Sequence, residues 1–316
     1  MYRNMDQRMK LGHNVEESRD KYPELTNEIL DELREWGEDH GLPNIPDEQL
    51  ALFAHSCYYN KKDSIRCMEV YYRLRATTPE FFKDRDPKTE ILQHSLKALQ
   101  FVALPLPDRE GRKIIFHRLA NTAPTAYMFN DGIKLLGMTL DASLYFEGCT
   151  PGYVFLFDMR GVKLAHLARL SVNSIRKFFE YLQEGMPIRL QGIHVLNTVW
   201  FMDKILSLLK PFMKRELFEM LHLYSGEVSE IYEYIPPECL PEDFGGKLDN
   251  LETLHEAHCI KLDQLRDYFR DEENLYRGWR NTPRDKLSSS TLSNCQEAEG
   301  DDSTIQKTES GKIDCT

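Results

Sequence analysis

The N-terminal part of the chain spaces its apolar residues three and four positions apart, which is the pattern of one helix face. Thr26 is a predicted N-cap for the first clear helix and Gly41 a predicted stop, while Pro79 ends the last helix of this group. The preceding residues are polar and charged. We therefore predict a flexible leader over residues 1–20 and an all-α N-terminal subdomain over residues 21–90. The first helix carries the apolar residues Leu25, Ile29, Leu30, Leu33 and Trp36.

The middle of the chain alternates short apolar runs with helical patterns. This alternation predicts an α/β architecture, and a continuous apolar run such as YVFLFD is typical of a strand that is buried on both faces. We assign this part, residues 91–250, to one domain. The predicted strands are residues 98–104, 113–119, 153–158 and 189–196. The predicted helices are residues 127–146, 166–183, 199–209 and 214–223.

The C-terminal part has two different compositions. Residues 251–282 are charged and keep a helical pattern, so they are predicted to form a C-terminal helical segment. Residues 283–316 are rich in Ser, Thr, Asp and Glu and have almost no core-forming residues, which predicts a disordered acidic tail. This tail is a candidate for phosphorylation or for binding a protein partner, and a solvated tail with neither role is the alternative.

The overall composition is that of a globular protein, with 316 residues, 41% hydrophobic and 29% charged. A formal net charge of −11 disfavours nucleic-acid binding, which depends on a basic surface. The seven cysteines contain no CxxC pair, which suits reduced thiols. No apolar run approaches the roughly 20 residues of a membrane span, and the leader lacks the apolar centre of a signal peptide. We therefore expect a cytoplasmic protein.

The familiar enzyme motifs are absent: the sequence has no G-x-S-x-G, Walker A, G-x-G-x-x-G or H-E-x-x-H. The stretch HEAHC at 255–259 is an incomplete metal site, because zinc needs three or four ligands, and surface residues on a helix are the simpler interpretation. Asp158 ends a strand, where a carboxylate commonly caps the next turn. His117 and His194 lie on apolar strands and are interpreted as hydrogen-bonded core residues. We expect no enzymatic activity, no metal and no cofactor.

Residues 199–209 are apolar almost all round the helix, which predicts either a buried helix or one that covers a hydrophobic cavity. Basic residues lie near this helix on an otherwise acidic chain. Clustered Lys and Arg beside an apolar helix are typical of docking to anionic lipid, including the phosphates of a phosphoinositide. A solvated charged face is the alternative. The candidate membrane-binding residues are Arg189, Lys210, Lys214 and Arg215.

Several segments, taken in order, resemble the CRAL-TRIO family of lipid-transfer proteins in its α-tocopherol transfer protein-like branch. The resemblance covers about residues 25–265, and the sequence of its first matching segment, PEFFKDRDP, is similar to that of arthropod members. The matching segments are PEFFKDRDP (79–87), GRKIIFHR (111–118), GYVFLFDMRG (152–161), MPIRLQGIHVLN (186–197), LLKPFM (208–213) and LPEDFGG (240–246).

The resemblance implies a mixed sheet flanked by helices, with a hydrophobic cavity closed by a lid helix over residues 199–209. It also implies which residues contact the ligand, with Thr139 and Tyr181 as hydroxyl groups that could orient a head group. The implied ligand-binding residues are Leu135, Met138, Thr139, Ala142, Val154, Phe155, Phe157, Phe178, Tyr181, Leu182, Ile188, Leu190, Phe201, Ile205 and Leu209.

The resemblance further implies contact with a phosphoinositide, but this chain departs from the family pattern. Arg189 matches one basic position of the tocopherol-type patch, whereas Gln191, Glu216 and Met220 stand at the other basic positions. Lys214 and Arg215 lie about one turn or less earlier in the sequence, so any patch here has a different geometry.

Two functions remain open from the sequence. The first is a soluble carrier that binds one hydrophobic molecule and transfers it between membranes, with the lid opening at an anionic surface. The aromatic residues among the implied lining favour a flat isoprenoid such as a tocopherol, retinoid or carotenoid over a two-chain phospholipid. The second is a regulatory or scaffold module that senses phosphoinositide or phospholipid.

Overall fold

The computed structural model describes residues 10–42 and 45–279. A five-stranded sheet lies at its centre, with the strands in sequence order across the sheet. β1 runs antiparallel to β2, and the other neighbours are parallel, so the sheet is mixed as predicted. The strands are β1 (Leu99–Ala103), β2 (Lys113–Leu119), β3 (Tyr153–Asp158), β4 (Leu190–Leu196) and β5 (Leu221–Leu223).

Helices precede the sheet and cover it. The predicted N-cap is confirmed at Thr26, whose Oγ1 accepts a hydrogen bond from the backbone N–H of Ile29. The helices before the sheet are α1 (Val15–Lys21), α2 (Asn27–Asp39), α3 (Asp47–Ser56), α4 (Lys61–Thr77), α5 (Pro79–Phe82) and α6 (Glu90–Ala98). The later helices are α7 (Phe129–Glu147), α8 (Leu164–Leu167), α9 (Val172–Glu180), α10 (Met202–Leu209), α11 (Arg215–Glu219), α12 (Leu251–Gln264) and α13 (Arg266–Trp279).

Three sequence predictions of local structure need correction. The predicted leader contains α1, and Leu11 and Val15 are buried in the main core, so residues 10–20 are packed rather than free. The helix predicted over 214–223 ends at Glu219, and the chain then forms β5 at the edge of the sheet. The helix predicted over 166–183 is divided into α8, α9 and a π-helical turn. The acidic tail over 283–316 lies outside the described residues.

Alternating side chains of the sheet belong to two separate cores. One face, represented by Phe155 on β3, packs with the helices in the larger core. The other face, represented by Val154 and Leu156, packs against the segment after β5, which contributes Ile231 and Phe244. The period of two along each strand therefore decides which side chains can reach the first face.

Four buried charged residues connect α4, the loop after α5, α7 and α13. The Arg75 guanidinium donates to both carboxylate oxygens of Asp141, at 2.6 and 2.9 Å, and to both oxygens of Glu272, at 2.7 and 2.8 Å. Arg85 donates to the same two carboxylates. Two positive and two negative charges balance, so this buried ion cluster satisfies groups that would be costly to bury alone.

Acidification is expected to destabilise the fold through buried histidines. Burial lowers the pKa of His55 and His258 to about 3, and that of His117 and His194 to about 4, from the usual 6.5. Because the unfolded chain binds these protons more readily, stability is full above pH 6.5 and falls as the pH drops towards 4, with each histidine contributing about 1.4 kcal/mol per pH unit. Urea unfolding at pH 7, 6 and 5 measures this.

The comparison variant is His258→Gln, which keeps a polar group near the Thr139 hydroxyl that lies 3.0 Å from His258 Nε2. Its unfolding free energy should fall less steeply with acid than that of the wild type. An unfolding free energy that stays level from pH 7 to pH 5 would contradict the prediction.

Candidate ligand cavity

A cavity of about 310 Å³ lies between the first sheet face and the helices that cover it. Its walls are apolar and aromatic, and they come from every strand, from α7, α8, α9 and α10, and from the π-helical turn. The lining residues are Phe101, His117, Leu119, Tyr127, Phe129, Gly132, Ile133, Leu136, Phe155, Phe157, Asp158, Met159, Val162, His166, Leu167, Leu170, Phe178, Phe179, Leu182, Ile193, Val195, Met202, Ile205, Leu206, Leu209, Met213 and Leu221.

Six of the sequence-predicted ligand residues line this cavity. They come from β3, from α9 and the turn after it, and from α10: Phe155, Phe157, Phe178, Leu182, Ile205 and Leu209. None of the residues of α10 is fully buried, which suits a helix that has solvent on one side and the cavity on the other. Trp200, just before this helix, is 81% exposed.

The four ligand residues predicted on α7 do not line this cavity. The structure turns Ile133 and Leu136 towards it, whereas the four predicted residues of this helix are buried elsewhere in the core. Thr139 instead contacts His258 on α12. Adjacent helix positions differ by about 100°, so a shift of one residue is enough to exchange one face for another. The predicted residues that lie away from the cavity are Leu135, Met138, Thr139 and Ala142.

Five other predicted ligand residues also lie away from the cavity. Val154 is on the opposite face of the sheet, and the Tyr181 hydroxyl accepts hydrogen bonds from Arg75 in the ion cluster. Ile188 and Leu190 line a second, more polar pocket of about 570 Å³ between the N-terminal helices and the segments at β4 and α11. Phe201 is buried just before α10 and is absent from the cavity wall.

The predicted ligand residues include none of the wall contributed by β2 and β4. The register places His117 beside Phe157, and Ile193 beside Phe155. Side chains on neighbouring strands of a parallel pair point to the same face when they are in register. Extending the alternation from Phe155 and Phe157 to the adjacent strands would therefore have found Ile193, Val195 and His117.

Three residues of the cavity wall, His117, His166 and Tyr127, carry polar side-chain atoms. The Nδ1 of His117 lies 3.0 Å from the backbone oxygen of Gln100, so Nε2 is the ring nitrogen that this contact leaves unused. The Nε2 of His166 is buried without a hydrogen-bond partner, and the ring of Tyr127 packs edge-on against His166. Burial raises the pKa of the Tyr127 hydroxyl well above its usual value.

Asp158, by contrast, is fully engaged in structure. Its carboxylate accepts hydrogen bonds from the backbone and side chain of Arg160, at 3.0 and 2.7 Å, and from Asn197 at 2.7 Å. These bonds hold the turn after β3 against the end of β4. The interpretation of Asp158 as a turn-capping residue is therefore confirmed.

The four predicted membrane-binding residues do not form one free basic patch. Arg189 donates from Nε to the backbone oxygen of His55 and stacks 4.1 Å from the ring centre of Tyr58. The ammonium group of Lys210 lies 5.0 Å from the ring centre of Phe218. The other two residues form ion pairs, Lys214 with Glu184 at 3.0 Å and Arg215 with Glu219 at 2.7 Å.

The histidines of HEAHC are buried, which corrects their interpretation as surface residues. His255 Nε2 lies 3.0 Å from the backbone oxygen of Leu96, and His258 contacts Thr139, so the two rings serve different neighbours. Both are accounted for as core histidines on α12.

Among the helices of the described residues, none is both long enough and apolar enough to cross a membrane.

Comparison with known proteins gives two family matches. Residues 97–246 match the model of the CRAL/TRIO domain, and residues 22–92 match that of the Pinta-like UBA domain. A crystal structure titled Sfh5 superposes with a TM-score of 0.51, covering 75% of this chain and 91% of that one, at 11% identity. That likeness concerns the fold alone.

Curated relatives are similar over most of the described chain. The alpha-tocopherol transfer protein-like protein of Homo sapiens is 25% identical over 211 residues, which are 66% of this chain and 61% of that protein. Clavesin-2 of Mus musculus is 24% identical over 230 residues, 72% of this chain and 70% of that protein. The match thus spans about three fifths of the length of the first relative. Residues 97–246 are thus identified as a CRAL/TRIO domain by the family model.

Proposed function

We propose that this protein carries a hydrophobic small molecule, bound in the cavity beneath α10, between membranes. The observation that carries the proposal is the apolar wall itself, in which aromatic and aliphatic side chains greatly outnumber polar ones. Each 100 Å² of ligand surface moved from water into such a wall contributes about 2.5 kcal/mol. A few polar groups then suffice to orient the ligand.

The size and shape of the cavity favour an isoprenoid-type cargo over a diacyl phospholipid. A volume of about 310 Å³ is at the lower end of the roughly 300–1,000 Å³ typical of small-molecule sites. Phe101, Phe155, Phe157 and Phe178 contribute flat walls that pack well against rings and conjugated chains. This volume supports a cargo with one chain or ring system rather than two acyl chains.

The direct test is extraction of the purified full-length protein, followed by mass spectrometry and an absorption spectrum of the extract. A stoichiometric isoprenoid supports the carrier and identifies its cargo. A diacyl phospholipid or phosphoinositide as the sole bound lipid would instead favour phospholipid exchange or lipid sensing. Where extraction finds nothing, added tocopherol, retinol and carotenoid are titrated, and failure of all of them to bind counts against the proposal.

Docking of the lid end on anionic membranes is a further part of the proposal. Trp200 is exposed beside α10, and tryptophan is favoured at the boundary between water and lipid. Arg215 is 84% exposed despite its ion pair, so it can exchange Glu219 for a lipid phosphate. These two residues, rather than Arg189, are the proposed contacts with the membrane.

We expect Trp200→Ala and Arg215→Glu each to weaken binding to vesicles that contain anionic lipid. One basic residue near such a surface contributes about 1 kcal/mol, so the charge reversal should reduce affinity by at least fivefold, and added salt should shrink the difference. Vesicle co-sedimentation measures the effect. Arg270→Glu, on the exposed side of α13, is the matched charge reversal, and equal losses in both charge variants would show that only net charge matters.

A further inference from the structure

Two cysteines form a pair where α3 meets α4. Of the five cysteines that the structure describes, Cys57 and Cys67 both line the second pocket, of about 570 Å³. Cys57 follows the last residue of α3, and Cys67 lies within α4. A hydrogen bond between the two thiols is the largest influence on the pKa of each. The two residues are therefore a dithiol rather than two separate cysteines.

The turn between the two helices holds this pair in place. The backbone N–H of Tyr59 donates to the oxygen of Ala54 at 2.8 Å, which closes the end of α3, and the side chain of Asn60 then caps α4. Tyr58 and Tyr59 both have a left-handed backbone, with φ of 52° and 62°. In non-glycine residues this conformation persists where the surrounding structure holds it. The thiols thus meet in the reduced protein, before any bond joins them.

The two thiols differ in accessibility and in acidity. Cys57 is partly exposed, whereas Cys67 is only 5% exposed. The hydrogen bond with Cys67 lowers the pKa of Cys57 despite partial desolvation, and the Ser56 hydroxyl, 3.7 Å from the sulfur, adds to this effect. The same hydrogen bond, together with burial, raises the pKa of Cys67. An accessible thiol of lowered pKa beside a buried thiol is the arrangement of an attacking and a resolving cysteine.

The second pocket gives a small reagent access to Cys57. Its volume of about 570 Å³ lies within the roughly 300–1,000 Å³ typical of small-molecule sites. Basic and acidic side chains are equal in number on its wall, so the wall admits a reagent that carries both ammonium and carboxylate groups, as glutathione disulfide does. The charged lining residues are Arg66, Arg189, Lys214, Asp63, Glu184 and Glu216.

We propose that Cys57 and Cys67 form a redox-modification site, which is converted reversibly to a disulfide by exchange with glutathione disulfide. The Cys57 thiolate attacks one sulfur of glutathione disulfide, forms a mixed disulfide and releases one glutathione thiolate. Cys67 then gives its proton to solvent, and its sulfur attacks that of Cys57 and releases the second glutathione thiolate. The protein loses two electrons and two protons, and glutathione disulfide becomes two molecules of glutathione. This site is independent of the proposed carrier function, and failure of either leaves the other standing.

The first test treats the reduced full-length protein with glutathione disulfide at pH 7.5, alkylates the remaining thiols and maps the products by mass spectrometry. Trypsin cuts after Arg34, Lys61, Arg66 and Arg73, so the disulfide joins peptide 35–61 to peptide 67–73. We expect this linked pair to be the main oxidised product and dithiothreitol to separate it. Oxidation of other cysteines without this linked pair, or no oxidation of the folded protein, overturns the proposal.

The second test measures the reactivity of Cys57 in the reduced protein. Cys259 is the matched control, because it is also partly exposed but burial raises its pKa to about 11. A pKa lower by about 2 raises the thiolate fraction about 100-fold, and the weaker nucleophile offsets about half of this on a logarithmic scale. Iodoacetamide at pH 7.5 should therefore alkylate Cys57 at least about tenfold faster than Cys259. Equal rates would overturn the role of Cys57 as the attacking thiol.

Three variants separate the roles of the two sulfurs. Cys67→Ser lacks the resolving thiol, so Cys57 should stop at the mixed disulfide with one glutathione per chain, and Cys67→Ala repeats the test with an apolar residue at this buried position. Cys57→Ser should leave Cys67 as a thiol. The control Cys259→Ser should form the disulfide in wild-type yield. If the wild type accumulates as much mixed disulfide as the Cys67 variants do, then Cys67 does not resolve it and the proposal is wrong.

Discussion

Replacing Arg75 by methionine is expected to lower the free energy of unfolding by about 3–5 kcal/mol, a large part of the roughly 5–15 kcal/mol available to a folded domain. Arg75 is buried, and its guanidinium contacts Asp141, Glu272 and the Tyr181 hydroxyl at once. Methionine fills a similar volume but leaves two buried carboxylates with Arg85 as their remaining cation. Equilibrium unfolding in urea, followed by circular dichroism, measures the loss.

Two comparisons separate the buried cluster from charge in general. Arg270→Met removes an arginine from the exposed side of α13, where its ion pair with Asp267 should contribute less than about 1 kcal/mol. Arg75→Lys keeps the charge but cannot donate to two carboxylates as the planar guanidinium does, so its stability should lie between those of wild type and Arg75→Met. Equal stability of Arg75→Met and Arg270→Met would refute the structural role of the cluster.

The position of Glu272 in this cluster makes α13 part of the folded unit. The side chain is completely buried and meets Arg75 on α4 and Arg85 in the loop after α5. Nothing in the hydrophobic pattern of the C-terminal segment indicates this, because the helix is strongly charged. An acid buried by long-range pairing has the same sequence signature as an acid on a solvated helix face, and only the fold distinguishes the two.

The strands could be predicted almost residue for residue. Residues 113–119 and 153–158 were predicted as strands and are β2 and β3. Continuous apolar runs bounded by turn residues leave few alternatives in an α/β chain. β5 was missed because three residues, Leu221–Leu223, are too few to show a period, and their pairing with β4 depends on a neighbour that is distant in sequence.

The cavity wall could be predicted where the strand or helix has a single apolar side. On β3, alternation selects Phe155 and Phe157, and on α10 the cavity-facing residues include Ile205 and Leu209. Helix α7 is different because nearly every side of it is buried from Gly132 to Leu144. An apolar pattern without a polar face fixes no rotation, so the choice between Leu135 and Leu136 needs the tertiary structure.

The candidate basic residues show the same limit for charge. Lys and Arg close together in sequence predict a surface patch only if their side chains point the same way and lack acidic partners. Here Glu184, which lies outside the basic stretch, neutralises Lys214. Glu219, one helical turn after Arg215, neutralises Arg215. Arg189 donates a hydrogen bond to the backbone of α3 and stacks on the ring of Tyr58. Charge spacing alone therefore overestimates the patch.

Filling the cavity is expected to abolish ligand binding without unfolding the protein. Val195 lies on β4 and faces the cavity, so Val195→Trp places an indole ring in space that the ligand would occupy. We expect affinity for retinol, or for the extracted cargo, to fall at least 100-fold, which corresponds to about 2.7 kcal/mol. A large side chain inserted into a packed core costs about 1–3 kcal/mol, but here existing space receives the ring, so the thermal midpoint should change little.

The matched control is Val172→Trp, the same substitution at a position that is exposed at the start of α9 and absent from the cavity wall. It should bind ligand as the wild type does. Differential scanning fluorimetry with and without ligand gives both quantities, because a ligand that binds only the folded state raises the midpoint. Wild-type binding by a folded Val195→Trp protein would place the ligand outside this cavity, and the proposed carrier mechanism would then lose the site on which it depends.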